Sequence, residues 1–159
     1  MRRLTKLTLC IALAGWALLL SACATTPDWR LAPTYGTARL TGGFKPDPYY
    51  VDVIAGGSIN LGGVGFSGSV AEAPDVDLLY APTNYELWIY VADASGDTVL
   101  LINDPSGNWH FSDDADGLGV NPGIRFPHPE AGLYDIWVGS YAGGYYDAVL
   151  AISERAWFR

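Results

Sequence analysis

The feature that most limits what this chain can fold into is its punctuation. Between residues 36 and 154, short runs rich in Val, Ile, Tyr and Trp are separated by clusters of Gly, Pro, Asn and Asp. No window holds the i, i+3, i+4, i+7 apolar spacing of an amphipathic helix. β-Branched and aromatic side chains suit a pleated surface, while Gly, Pro, Asn and Asp supply the backbone conformations of turns. The pattern predicts strands over 36–40, 49–55, 64–70, 76–80, 85–92, 98–103, 109–112, 123–126, 133–141 and 148–153. Many short strands at this spacing imply an all-β fold, a sandwich or barrel. There is no internal repeat, and the length suits one domain.

Two runs declare their faces. In Tyr85–Val91, period-2 alternation sends Leu87, Ile89 and Val91 one way and Glu86, Trp88 and Tyr90 the other. In Leu133–Val138, Tyr134, Ile136 and Val138 oppose Asp135 and Trp137. Placing Glu86 and Asp135 in water puts Trp88, Tyr90 and Trp137 on an outer face, with Tyr141 nearby. Such a platform would stack on the sugar rings of an envelope glycan or on a peptide, because exposed apolar patches generally mark contacts. The alternative is that neighbouring loops, such as Gly143-Gly144-Tyr145-Tyr146, cover it.

The N-terminus is organised differently. Arg2, Arg3 and Lys6 precede an apolar run from Leu7 to Leu20, too short for a membrane-spanning helix, and the run ends in Leu20-Ser21-Ala22-Cys23. This matches the lipobox of bacterial lipoproteins and predicts a signal peptide over residues 1–22, with Cys23 acylated, by palmitate among others. Several acyl chains anchor stably, each buried methylene adding about 0.8 kcal/mol. In the lipoproteins this resembles, aspartate after the cysteine favours inner-membrane retention, so Ala24 implies the outer membrane, with the domain outside the cytoplasm on the periplasmic side. Residues 23–35 carry prolines and no periodicity and read as a tether. Residues 36–154 form the domain, and 155–159 a tail. Cys10 falls in the discarded segment, so no intrachain disulfide is expected.

Removing Arg2, Arg3 and Lys6 leaves 6 basic against 17 acidic side chains, a formal charge of about −11. Nucleic acid is disfavoured as a partner, since phosphate binding needs clustered Lys and Arg. Divalent cations are not. Asp113, Asp114, Asp116 and Asn121, with Asp104, offer hard oxygens of the kind calcium takes in sets of six to eight. The same residue types also close turns with their own backbone. Asp75 and Asp77 share a strand face, where solvation at an edge competes with a contribution to a cation site.

Catalytic signals are weak. The glycine-rich stretch 55–68 lacks the Gly-Lys-Ser/Thr ending of a phosphate loop, and Gly65-Phe66-Ser67-Gly68-Ser69 misses the second glycine of a nucleophile elbow. His110 and His128 are the only histidines, and no serine stands in a nucleophile context.

Asp97–Trp109 (DTVLLINDPSGNW), Asp113-Asp114, Asn121-Pro122 and the run GLYDIWVGSY, with Asp75-Val76-Asp77 upstream and Ala151-Ile152-Ser153-Glu154 at the end, resemble the bacterial pre-peptidase C-terminal domain family. The resemblance covers roughly residues 36–154. It implies a jelly-roll-like antiparallel β-sandwich with a non-catalytic accessory or binding role, rather than a hydrolase. It also implies that Phe66 and Phe111 stand where relatives carry a cysteine pair, so their rings should meet in a buried contact between the strand at 64–70 and that at 109–112.

Overall fold

The computed structural model describes residues 26–157. The signal peptide expected over residues 1–22 and the acylation expected at Cys23 lie outside the described residues. In chain order the elements are β1 (Thr37–Thr41), β2 (Tyr49–Gly56), β3 (Ile59–Asn60), a 3-10 turn (Leu61–Val64), β4 (Ser69–Val70), β5 (Val76–Ala81), β6 (Leu87–Ala94), β7 (Thr98–Asn103), β8 (Trp109–Ser112), β9 (Gly123–Phe126), β10 (Gly132–Ser140) and β11 (Tyr145–Ser153).

The pairing is nested. β2 pairs β11, β5 pairs β10, β6 pairs β9 and β7 pairs β8, each antiparallel, so early strands meet late ones in order. Successive pairs alternate between two sheets, one ordered β2-β11-β6-β9 and the other built on β10 with β5 and β7 at its two edges. A long hairpin ribbon wrapped around a common axis gives this order, the jelly roll. The expected all-β sandwich is therefore the fold. One pair departs from it: β1 lies parallel to β5, Thr37 opposite Asp77 through Thr41 opposite Ala81.

The core between the sheets is made by the inward residues the alternation named. Leu87, Ile89 and Val91 of β6 meet Tyr134, Ile136 and Val138 of β10, with Leu78, Leu100, Leu150 and Ile152 around them, all buried. Burying each such aliphatic side chain is worth roughly 1.5–3 kcal/mol.

Two further layers lie outside the sheets. On the β10 sheet, Val99, Leu101 and Trp137 are covered by Ile59, Leu61, Phe66 and Phe111. On the β6 sheet, Trp88, Tyr90 and Ala151 are covered by Leu118, Ala156 and Trp157. Close approach at two glycines permits these layers. A Cβ on Gly139 would stand 2.5 Å from the Ser69 carbonyl oxygen, and one on Gly123 would stand 2.9 Å from the Trp157 ring.

Three expectations are corrected. The strand expected over 64–70 is instead the 3-10 turn, a loop and the two residues of β4. Asn60 caps the turn by accepting from the Gly62 N–H, and Gly65 ends it at φ 89°. The tether expected over 23–35 is bound to the domain from Asp28 onward: Asp28, Thr34 and Tyr35 donate backbone N–H groups to the carbonyls of Glu72, Pro74 and Asp75 at 2.7–2.9 Å. The tail beginning at residue 155 is held too, Trp157 standing edge-on to Trp88 with centroids 4.7 Å apart.

Phe66 and Phe111 do meet, stacked at 4.8 Å with an interplanar angle of 13°. Their setting differs from the expectation. Phe66 lies in the loop before β4, β8 pairs with β7, and both rings are half-buried. Phe66→Ala should therefore cost about 2 kcal/mol, below the 3–5 kcal/mol typical of a fully enclosed phenylalanine. Urea unfolding of the two single mutants and the double should also show a coupling of about 0.5–1.5 kcal/mol between the rings.

Candidate functional site

The aromatic platform does not form. Trp88 and Tyr90 belong to one sheet and Trp137 to the other, so they share no surface. They are only 6%, 7% and 0% exposed, beneath the two covering layers, and of the four residues only Tyr141, at 46%, meets solvent. The assignment of outer faces was right, but the assumption that outer faces meet water was not. Asp135, expected in water, is itself buried.

The outer face of β2 and β11 is left open. β2 presents Tyr50, Asp52 and Ile54, and β11 presents Tyr145 and Asp147, all exposed. The register sets Asp147 opposite Ile54 and Val149 opposite both Asp52 and Asp93, giving one contiguous surface. A groove of about 290 Å³ runs across it, lined by Tyr35, Asp52, Ile54, Asp93, Asp147 and Val149. Tyr35 is fixed there because its hydroxyl oxygen accepts the Ile54 N–H at 2.9 Å. The face offers three carboxylates among tyrosine and aliphatic surface, a complement to a cationic partner. Sequence reasoning missed it because Tyr50 and Tyr145 lie on strands with no other sign of their surroundings.

The acidic residues divide into separate groups. Carboxylate oxygens of Asp97, Asp113 and Asp114 lie within 4.8 Å of one another. Asp97, from the turn before β7, was not foreseen. Its Oδ1 is buried with no hydrogen-bond partner. Asp113 is shifted above the usual carboxylate range by burial and by the charges of Asp114 and Asp97. An orphaned buried oxygen among mutually repelling carboxylates fits a hard divalent cation. The other expected ligands are placed elsewhere. Asp104 Oδ1 accepts from the backbone of Ser106 and Asn108 in the β7–β8 hairpin, and its Oδ2 meets His110 Nε2 at 2.8 Å. Asp116 has an exposed side chain, and its carbonyl accepts from Trp157 Nε1. Asn121 Oδ1 accepts from Thr98 Oγ1 at 3.1 Å. His110 is thus engaged by Asp104, and among the described residues no serine hydroxyl bonds a histidine.

Asp75, Asp77 and Asp135 form a second group on the β10 sheet. Asp135 faces Asp77 across the β5–β10 register. Burial first, then the charge of and hydrogen bond to Asp77, raises Asp135 to about 7. Burial also raises Asp77, against the opposing hydrogen bond from Asp135. Burial thus favours the neutral form at both of these facing carboxyls. Asp75, 2% exposed, is raised to about 7 by burial, although its Oδ2 accepts the Val138 N–H at 2.7 Å. Edge solvation, expected for Asp75 and Asp77, does not hold for Asp75.

No family model matches the chain, and no curated protein does. Among solved structures it is similar to Aeromonas hydrophila PliG, a periplasmic lysozyme inhibitor of g-type lysozyme, with 13% identity, coverage of 74% of this chain and 96% of that one, and a TM-score of 0.40.

The raised carboxyls set a pH dependence. A carboxyl whose pKa is higher folded than unfolded binds more protons in the folded state, so its favourable contribution is complete below about pH 4 and is lost as pH rises through about 7. Asn at position 75 keeps an acceptor for Val138 but cannot ionise. Asp75→Asn should therefore gain stability relative to wild type as pH rises from about 5 to 8. Thermal unfolding across that range checks this; a constant difference would mean Asp75 does not titrate there.

Proposed function

We propose that this protein is a non-catalytic binding module of the bacterial envelope, held at the outer membrane by acyl chains on Cys23, that uses the open β2–β11 face to bind a cationic protein surface. The observation that carries the reading is that this acidic face stays uncovered, while Trp88, Tyr90 and Trp137 on the outer faces elsewhere lie beneath added layers. A rigid sheet presenting Tyr50, Ile54 and Tyr145 needs little ordering to bind, and Asp52, Asp93 and Asp147 would steer a basic partner. A glycan platform of Trp88 and Trp137 loses its support because both rings are buried. A photocrosslinking residue at Tyr50 should give a discrete protein adduct in cells. That adduct should disappear when Asp52, Asp93 and Asp147 are changed to Lys. An adduct indifferent to charge reversal, or none at all, counts against the reading.

A second site is favoured by the arrangement of Asp97, Asp113 and Asp114, which would hold calcium through carboxylate oxygens as a stabilising ion. A cation bound only by the folded state adds about 2.7 kcal/mol at a hundredfold excess over Kd. The melting temperature should rise between chelator and millimolar calcium, and Asp97→Asn should abolish the rise. A melting temperature unmoved by calcium in the wild type rejects the site.

A further inference from the structure

On the opposite side of the sandwich, the outer face of the β10 sheet is only partly sealed. Beyond the covering layer, Trp29 is 51% and Trp109 40% exposed, with Val64, Leu79 and Leu133 also in solvent. These positions are contiguous. Trp109 borders a groove of about 370 Å³ with Thr26, Pro27, Val64 and Phe66, and a second of about 370 Å³ with Trp29 and Leu133. Leu133 stands opposite Leu79 in the β5–β10 register. An exposed apolar surface of this kind needs an occupant.

Where the described chain begins identifies it. Thr26 lines the first groove and is three residues from Cys23, so even a fully extended connection spans only about 10 Å. We infer that this face, around Trp29, Trp109, Leu133 and Leu79, rests on the lipid bilayer that holds the Cys23 acyl chains. The inference rests on the acylation of Cys23 given in the proposed function. Its chemistry suits the interface, where tryptophan is favoured because its ring is apolar and its N–H wet. Arg39, exposed and opposite Leu79, flanks the patch and can reach headgroup phosphates. The acids on this side are restrained: Asp28 is paired with Arg30 and Asp104 with His110, and burial favours the neutral forms of Asp77 and Asp135. The face suits a zwitterionic surface. The open β2–β11 face, on the other sheet, then points away from the membrane.

Because the mature chain's one cysteine is acylated, a new cysteine is uniquely labelled. Leu133→Cys and Tyr145→Cys would each carry an environment-sensitive fluorophore in the acylated protein, reconstituted into phosphatidylcholine–phosphatidylethanolamine vesicles. At position 133 the emission should shift to the blue and iodide quenching should fall severalfold below that at position 145. Co-sedimentation with the vesicles accompanied by equal quenching at the two positions overturns the docking while leaving the anchor in place. Failure to co-sediment overturns the anchor and the docking with it. Shielding of position 133 already present in the unacylated Cys23→Ser protein without vesicles means a second copy covers the face, and also overturns the proposal.

Discussion

The bond from the Val138 N–H to the Asp75 carboxylate joins the parts of this structure that the ladder alone leaves separate. β5 pairs with β10 only as far as Val76 opposite Ile136, and β4 takes up the same edge only at Ser140. Between them Val138 would face the sheet edge without an acceptor, deep in the protein. Asp75 closes the gap twice, donating its own N–H to the Ile136 carbonyl at 2.8 Å and accepting from Val138 at 2.7 Å. Its carbonyl in turn accepts from Tyr35 at 2.7 Å, which ties down the N-terminal segment. An unpaired buried amide costs about 1–3 kcal/mol, and a carboxylate there carries its own desolvation cost, so the site is satisfied more easily with Asp75 protonated.

The same edge explains what could be read from the sequence. Strands β7, β8 and β9 fall where their composition put them, and the alternation in β6 and β10 named the inward residues of the core correctly. A period-2 pattern reports two faces but not what lies beyond them. Trp88 and Trp137 are covered by Trp157 and by the excursion through Ile59, Leu61 and Phe66, segments far away in sequence. The continuous run Val99-Leu100-Leu101-Ile102 was the local sign that β7 is buried on both sides, since one-sided strands alternate. The candidate cation site was half legible. Asp113 and Asp114 were adjacent in sequence, but Asp97 reaches them only through the tertiary fold, and Asp104 is used up by its own hairpin.

The two sheets consequently differ in what they present. The covering layer on the β6 sheet stops short of β2 and leaves tyrosine and aspartate on a flat surface. On the β10 sheet it leaves tryptophan and leucine around buried carboxyls. The polarity arises both from where the excursion between β3 and β4 and the C-terminal segment come to rest and from the outward residues of the strands they leave uncovered.

The bonded N-terminal segment has a mechanical consequence. If the chain is held at Cys23 and drawn by a partner on its far side, as proposed, the first described bond to take the load is that from the Asp28 N–H to Glu72. The load passes next to Thr34 and Tyr35 and then into β1, which runs alongside β5 in the same direction over five residues. Tension applied along such a pair is borne by its backbone bonds together, in shear, rather than by one bond after another as in peeling. The small parallel strand, the departure from an antiparallel plan among the described residues, lies where a domain tethered in that way would need to resist being pulled away.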